Sequence, residues 1–193
     1  MQPTANSLAA LPKSEQRQLR AQLQETLARN DLPASCKSDV SEVTMHLPVD
    51  IRGFTDFSCS KEHCLNASEV IMKKRSLPPG FLHFPVGYNG RASSIVVSGT
   101  PIIRPKGQFR DGEGVVYGLT KQLDYELEVG CIIGKQTELG ETISAENADE
   151  HIFGLVLIND WSGENFLLAN LQCSANRSQH ETFKHWRWLL LGP

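Results

Sequence analysis

One alternating stretch in the middle of the chain limits the folds open to it more than any other feature. Acidic and apolar residues follow one another there in the order Leu123-Asp124-Tyr125-Glu126-Leu127-Glu128-Val129. Because successive side chains of a β-strand point to opposite faces, the carboxylates share one face and the apolar side chains share the other. Carboxylates this close repel each other unless a positive charge lies between them. The stretch therefore predicts a strand whose acidic face either meets water or binds a hard cation such as Ca²⁺ or Mg²⁺.

Much of the remaining chain also has the pattern of a β-rich domain. From residue 43 onward, short apolar runs are broken by Gly, Pro and Asn, which is typical of strands joined by turns. Residues 81–85, 94–98 and 122–133 are the clearest predicted strands. Residues 153–158 predict a buried strand, and the sequence Asn-Asp-Trp follows directly at its end.

Helices and turns complete this secondary-structure prediction. Residues 14–29 predict a helix because three leucines recur every four residues and Ser14 can cap the start. Residues 146–151 predict a short helix, and residues 88–90, with the order Tyr-Asn-Gly, predict a turn. Together these elements predict an α+β fold that is mainly β.

The composition argues against several kinds of partner. A net charge of −3 and an isoelectric point near 6.1 give no basic surface for nucleic acid. No apolar run approaches the ~20 residues that cross a bilayer, so we expect no membrane partner. The 5 cysteines are irregularly spaced, which argues against a disulfide framework and favours the reducing cytoplasm.

Two aspartates and a histidine are candidates for chemistry. Asp160 follows an apolar run, and Asp56 lies between aromatic residues, so a partly buried carboxylate that needs a partner is expected at each position. His63 could act as a general base on water or could be an ordinary exposed histidine at a helix start. Cys59, His63 and Cys64 could also suggest zinc, but no second Cys/His pair follows at a usual spacing.

Several long motifs resemble the fumarylacetoacetate hydrolase family. The resemblance covers residues 43–162 almost without interruption and implies an α+β, mainly β domain of the mixed β-roll or sandwich type found in that family, with a helix before it. The motifs lie at residues 44–48, 54–57, 82–94, 97–101, 123–128, 150–154 and 159–162.

The resemblance also implies an activity and a set of site residues. Members of this family hydrolyse a C–C bond of fumarylacetoacetate, giving fumarate and acetoacetate in tyrosine and phenylalanine catabolism, and bind Ca²⁺ or Mg²⁺. The general base that matches the family pattern is His63. The matching metal ligands are Asp56, Glu126, Glu128 and Asp160, and the matching substrate-binding positions are Tyr88, Ser58 and Lys74.

The chain also departs from the family pattern. Ser58 stands where the family has a substrate-contacting tyrosine, and Lys74 stands near a family arginine. We expect residues 1–42 to be the last helix and linker of an N-terminal domain, residues 43–162 to be part of the catalytic domain, and residues 163–193 to be an unrelated tail. The chain is therefore expected to be truncated. Its activity is expected to be weak, because the family's oxyanion-binding Arg and Gln follow the position of Ser162, where this chain has the sequence Gly-Glu-Asn-Phe-Leu instead.

Three functions remain open at this point. The first is a fumarylacetoacetate-cleaving hydrolase that acts as a homodimer, as the resemblance implies. The second is a catalytically inactive chain that binds metal or dimerises with a longer copy. The third is a related metal-dependent decarboxylase or isomerase acting on a smaller 2-oxo acid.

Overall fold

The computed structural model describes residues 4–84 and 87–164, together with the backbone of residues 188–191. It mixes helix and strand, as the sequence predicts. The helices are α1 (Asn6–Ala9), α2 (Lys13–Ala28) and α3 (Lys61–Met72), and 3₁₀ turns lie at Ala34–Cys36, Val40–Glu42, Ala92–Ser94 and Ala145–His151. The strands are β1 (Thr55–Phe57), β2 (Gly87–Asn89), β3 (Ile95–Val97), β4 (Lys106–Asp111), β5 (Gly114–Leu119), β6 (Leu123–Ile133), β7 (Ile152–Gly163) and β8 (Trp188–Leu191).

The described strands form three small sheets. β1 pairs with β2, and β4 pairs with β5, both antiparallel. The third sheet has the order β3-β8-β7-β6, in which β8 is parallel to β3 and antiparallel to β7. The closure of these sheets into a roll or sandwich stays a prediction.

The β6–β7 hairpin is the longest pairing among the described strands. Its register runs from Leu123 opposite Gly163 to Ile133 opposite Ile152, with one irregularity near its closed end. Ile158 of this hairpin is buried against Ile95 of β3. The partly buried side chains packed against these two are Leu47, Ile51, Phe54 and Val156.

Helix α2 contacts the rest of the chain through its N-terminal half. Lys13 Nζ donates to the backbone oxygen of Ile152, and Arg17 forms an ion pair of 3.2 Å with Asp149. The three leucines of α2 remain exposed. Within the described residues, no helix combines the length and apolar character that crossing a membrane requires.

Most predicted elements are confirmed. β3 and β6 lie within the predicted strands 94–98 and 122–133, and α2 begins and ends one residue before the predicted helix. The short helix predicted at residues 146–151 is a 3₁₀ turn that ends at His151. The predicted cap at Ser14 is wrong, because the residue before the helix is Pro12.

Two local predictions near residue 85 are wrong. Residues 81–84 form turns instead of a strand, because the N–H groups of His83 and Phe84 donate to the oxygen of Gly80 at 2.8 and 2.7 Å; Pro85 lies outside the described residues. Tyr88 and Asn89 belong to β2 instead of a turn, because they pair with β1.

The predicted end of the buried strand before Asp160 is also wrong. β7 continues to Gly163, so Asp160 lies within the strand and pairs across to β6. The predicted tail of residues 163–193 lies largely outside the described residues. Its segment Trp188–Leu191 forms β8, between β3 and β7.

Candidate metal centre

Three strands bring carboxylates to one place. Glu126 of β6 faces Asp160 of β7 across the hairpin, and Glu128 lies two residues further along the same face. Asp56 approaches from β1. The nearest carboxylate oxygens of Asp56, Glu128 and Asp160 all lie within 4.8 Å of one another. The structure therefore brings together three of the four predicted ligands.

The part of the acidic face of β6 that carries Glu126 and Glu128 is directed inward, whereas Asp124 at its start is exposed. Asp160 is 0% exposed, and both glutamates are half-buried. On the opposite face Leu127 is 76% exposed. The interpretation of the acidic face as the water-facing side of β6 is therefore wrong, because the apolar face of the strand meets the solvent instead.

The electrostatics of this cluster disfavour three negative charges without a cation. Burial raises the pKa of Glu128 to about 8 from an ordinary value of 4.5. The charges of Asp56 and Asp160 add to this shift, and so do a hydrogen bond with Glu126 and its charge. A bound divalent cation would reverse this balance, since it favours ionised carboxylates.

The donor set fits a hard divalent cation. All the ligand atoms are carboxylate oxygens, which Ca²⁺ and Mg²⁺ prefer. Two oxygens bound to opposite sides of Ca²⁺ at about 2.4 Å each are separated by about 4.8 Å, so the observed spacing is compatible with a shared ion. Among the described residues, this triad is the one group of three or more His, Cys, Asp or Glu side chains placed to hold a metal. The zinc alternative at Cys59, His63 and Cys64 is therefore not supported.

Glu126 lies beside the triad and contacts the predicted base. Its Oε1 atom is 3.7 Å from Nε2 of His63, which projects from the first turn of α3. Ser60 caps this helix by accepting a hydrogen bond from the His63 N–H at 3.3 Å. His63 also lines a cavity of about 1690 Å³ together with Asp56, Glu126 and Glu128. The base and the carboxylates thus face one space.

The three predicted substrate-binding positions have different surroundings. Tyr88 is half-buried and lies opposite Asp56 in the β1–β2 register. Ser58 lines the large cavity just beyond β1. Lys74 is exposed after the end of α3 and lines neither this cavity nor the smaller one described below.

Two features of the site were not predicted from the sequence. Ser162 lies on the same face of β7 as Asp160 and is buried, and its Oγ has no hydrogen-bond partner among the described residues. Phe57 and Phe84 line a second, smaller cavity next to β1. Had the strand been predicted to continue past Asp160, alternation would have put Ser162 on the same face. The sequence around Phe84 has no local pattern that indicates a cavity.

The comparisons with known proteins agree with the motifs. The family described as "Fumarylacetoacetate (FAA) hydrolase C-terminal" matches residues 52–189. This range continues past Ser162, and the domain boundary expected there stays a prediction. Because the matched range covers most of the chain and includes all four predicted metal ligands, the family assignment does not depend on a short motif.

Individual relatives extend this likeness over nearly the whole chain. Fumarylacetoacetase from Bos taurus is 44% identical over 202 residues, covering 99% of this chain and 44% of the relative. The Homo sapiens fumarylacetoacetase is 44% identical over 203 residues, covering 100% of this chain and 44% of the relative. The Dictyostelium discoideum fumarylacetoacetase is 44% identical over 159 residues, covering 80% of this chain and 33% of the relative. This chain spans less than half the length of these relatives, and it belongs to the fumarylacetoacetate hydrolase family.

Proposed function

We propose that this chain carries the metal-binding part of a hydrolase that cleaves fumarylacetoacetate into fumarate and acetoacetate. The observation that carries the proposal is the convergence of Asp56, Glu128 and Asp160 within 4.8 Å. His63 lies 3.7 Å from Glu126, which is on the same acidic face as Glu128, and this contact supports a role for His63 as the base. The relatives named fumarylacetoacetase supply the substrate class.

Each group has a role that follows from its chemistry. A Ca²⁺ or Mg²⁺ ion held by the three carboxylates, with Glu126 completing the site, would polarise the diketone and stabilise negative charge on the leaving group. His63 accepts a proton from water while the water oxygen bonds to the attacked carbonyl carbon. The C–C bond then breaks, and the carbon of the departing acetoacetate takes up a proton. We include Tyr88 and Ser58 as substrate contacts, because Tyr88 pairs with Asp56 between β1 and β2 and Ser58 lines the large cavity. We include Lys74 as a more distant contact.

The test follows the loss of diketone absorbance when purified chain meets fumarylacetoacetate with Mg²⁺, with Ca²⁺ or with EDTA. We expect metal-dependent turnover that Asp56→Asn and His63→Ala each reduce by at least about 100-fold. Asp124→Asn is the matched control, because Asp124 is exposed on the same strand and lies outside the triad. Equal turnover in EDTA would contradict the proposal.

The same experiment separates the alternatives. An inactive metal-binding chain would bind Ca²⁺ in a titration that Asp56→Asn abolishes, yet would leave the diketone intact. A decarboxylase or isomerase would act on a smaller 2-oxo acid and leave fumarylacetoacetate unchanged. The relatives named above are all fumarylacetoacetases, which favours the hydrolase.

The proposal includes a homodimer in the cytoplasm. The apolar face of the β6–β7 hairpin is exposed in the single chain, and such a face is a candidate contact between two copies. The roll or sandwich closure of the sheets belongs to the same proposal. Sedimentation analysis of the purified chain tests the dimer directly.

A further inference from the structure

Glu126 lies between the predicted base and the metal triad. Its Oε1 atom is 3.7 Å from Nε2 of His63. Its side chain also forms a hydrogen bond with Glu128, which belongs to the triad. A chain of contacts therefore runs from the base through Glu126 to the carboxylates that are placed to hold a cation.

The backbone of His63 is anchored, whereas its ring depends on one contact. The His63 N–H donates to Ser60 Oγ at 3.3 Å, which fixes the first turn of α3. The side chain is 52% exposed and, within the part of the chain that the structure describes, Glu126 has the one carboxylate in ion-pair contact with it. An exposed ring without a partner samples several side-chain conformations. The orientation of this ring therefore depends on Glu126.

The neighbouring acids of α3 are engaged elsewhere. Arg75, which follows the helix, forms ion pairs with Glu62 at 3.1 Å and with Glu69 at 3.3 Å. The carboxylate that contacts His63 comes instead from β6, the strand that also carries Glu128. The base and the triad thus share one strand as their common support.

Pairing through Nε2 determines which ring nitrogen can act as the base. A carboxylate only accepts hydrogen bonds, so the ring nitrogen that faces it carries the proton. The other nitrogen, Nδ1, then keeps its lone pair. The distance of 3.7 Å is longer than a hydrogen bond, and catalytic contacts of this kind often shorten when substrate binds. A base must present a lone pair to the proton it removes, so Nδ1 is the atom that accepts a proton from water.

We propose that Glu126 is a positioning residue for His63, which keeps the ring proton on Nε2 and leaves Nδ1 to face the attacking water. The other oxygen of Glu126 stays on the side of the triad, where it adds to the surroundings of the cation. This inference rests on the proposed function, since it takes His63 as the base of that reaction. It gives Glu126 a role that cation binding alone does not supply.

Nuclear magnetic resonance of the full chain with ¹⁵N-labelled histidine reports which ring nitrogen carries the proton. At about pH 8.5, where an ordinary imidazole is neutral, and with Mg²⁺ present, we expect His63 to be protonated on Nε2. The signals of this residue are those that disappear in His63→Ala. Protonation mainly on Nδ1 in the original chain would overturn the inference, and this outcome requires no variant of Glu126 to fold.

Variants identify Glu126 as the cause. Glu126→Ala removes the acceptor, so a population of His63 protonated on Nδ1 should appear. Asp124→Asn is the matched control, because Asp124 is exposed on the same strand and lies outside the triad, and it should leave the His63 signals unchanged. The same distribution of the ring proton in Glu126→Ala and in the original chain would also overturn the inference.

Turnover at saturating Mg²⁺ separates positioning from cation binding. We expect Glu126→Ala to lower kcat by at least about 100-fold and to have little further effect in a chain that already carries His63→Ala, because Glu126 acts through the ring. Losses that multiply in the double variant would assign Glu126 to the ion alone and overturn the inference.

A calorimetric titration with Mg²⁺ distinguishes failure of this inference from failure of the proposed function. Glu126→Ala should weaken Mg²⁺ binding by about tenfold, because the triad remains, whereas Asp56→Asn should abolish it. If the original chain does not bind Mg²⁺, the proposed function fails and the inference falls with it. If the chain binds Mg²⁺ and hydrolyses the diketone while His63 is protonated mainly on Nδ1, the inference alone fails.

Discussion

At the scale of single residues, the raised pKa of Glu128 predicts a pH dependence for the stability of the metal-free chain. The pKa of Glu128 is raised to about 8, whereas an unfolded chain would lose this proton near 4.5. Between these values the folded chain holds a proton that the unfolded chain has released, so the free energy of unfolding falls as the pH rises. Urea unfolding of the chain in EDTA at several pH values should show this decline.

Metal binding should reverse this dependence. A divalent cation binds the ionised carboxylate, so binding at about pH 6.5 should release about one proton and should strengthen toward pH 8. Calorimetry of Ca²⁺ binding in buffers with different ionisation enthalpies counts the protons released. Glu128→Gln should abolish the release and flatten the pH dependence of unfolding in EDTA. A proton count that is the same for this variant and the original chain would contradict the assignment.

The carboxylates were partly predictable from the sequence. Alternation in β6 placed Glu126 and Glu128 on one face, and the structure keeps them there. The same pattern could not show that this face is buried, because burial depends on which elements pack against it. Nor could it show that Glu126 contacts His63, since that contact depends on how α3 approaches the strand.

At the scale of elements, the start of α3 decides where His63 lies. Ser60→Ala removes the side-chain oxygen that accepts from the His63 N–H and should destabilise the helix by about 0.5–2 kcal/mol. Because His63 lies in the first turn, we also expect a loss of turnover larger than any loss of metal affinity. Ser60→Thr keeps a cap and should recover most of the turnover. Equal turnover for Ser60→Ala and the original chain would show that the cap does not position the base.

The packing of α1 against the hairpin depends on Gly134, which follows the last residue of β6. A Cβ atom built at Gly134 would lie 2.1 Å from the backbone oxygen of Ala9, so Gly134→Ala must push α1 away. We expect a loss of about 1–3 kcal/mol in the free energy of unfolding, measured in urea. Gly154→Ala is the control on the same hairpin, because a Cβ there meets nothing within 4 Å, and it should change stability little. Similar losses in both variants would argue against the contact.

The elements differ in how well the sequence predicts them. β6 and α2 carry long periodic patterns, and both were predicted nearly to the residue. The turn at residues 81–84 contains an apolar run, which favours a strand, but hydrogen bonds to Gly80 fold it back. β2 was predicted as a turn because Asn and Gly favour turns. Gly90 instead makes room for a ring, since a Cβ there would lie 1.7 Å from Cδ1 of Phe54.

At the scale of the whole molecule, the two faces of the β6–β7 hairpin have an unusual arrangement of acidic and apolar side chains. Its acidic face is turned toward the candidate metal centre, and its apolar face is exposed. β6 is also the edge strand of its four-stranded sheet among the described strands. An exposed apolar face next to a long edge strand favours association with another chain. The exposed apolar side chains of this face are Tyr125, Leu127, Val129, Leu155 and Leu157.

We therefore expect the purified chain to self-associate through the hairpin. Light scattering at increasing concentration should show a rising mass, and the double variant Leu127→Lys/Leu155→Lys should suppress the rise, because charge on this face opposes its burial. Gln22→Lys/Gln24→Lys adds the same charge to the exposed face of α2 and should leave the rise unchanged. If both double variants suppress association equally, net charge and not the hairpin face is responsible. If the hairpin variant still associates while binding Ca²⁺ normally, the contact lies elsewhere on the molecule.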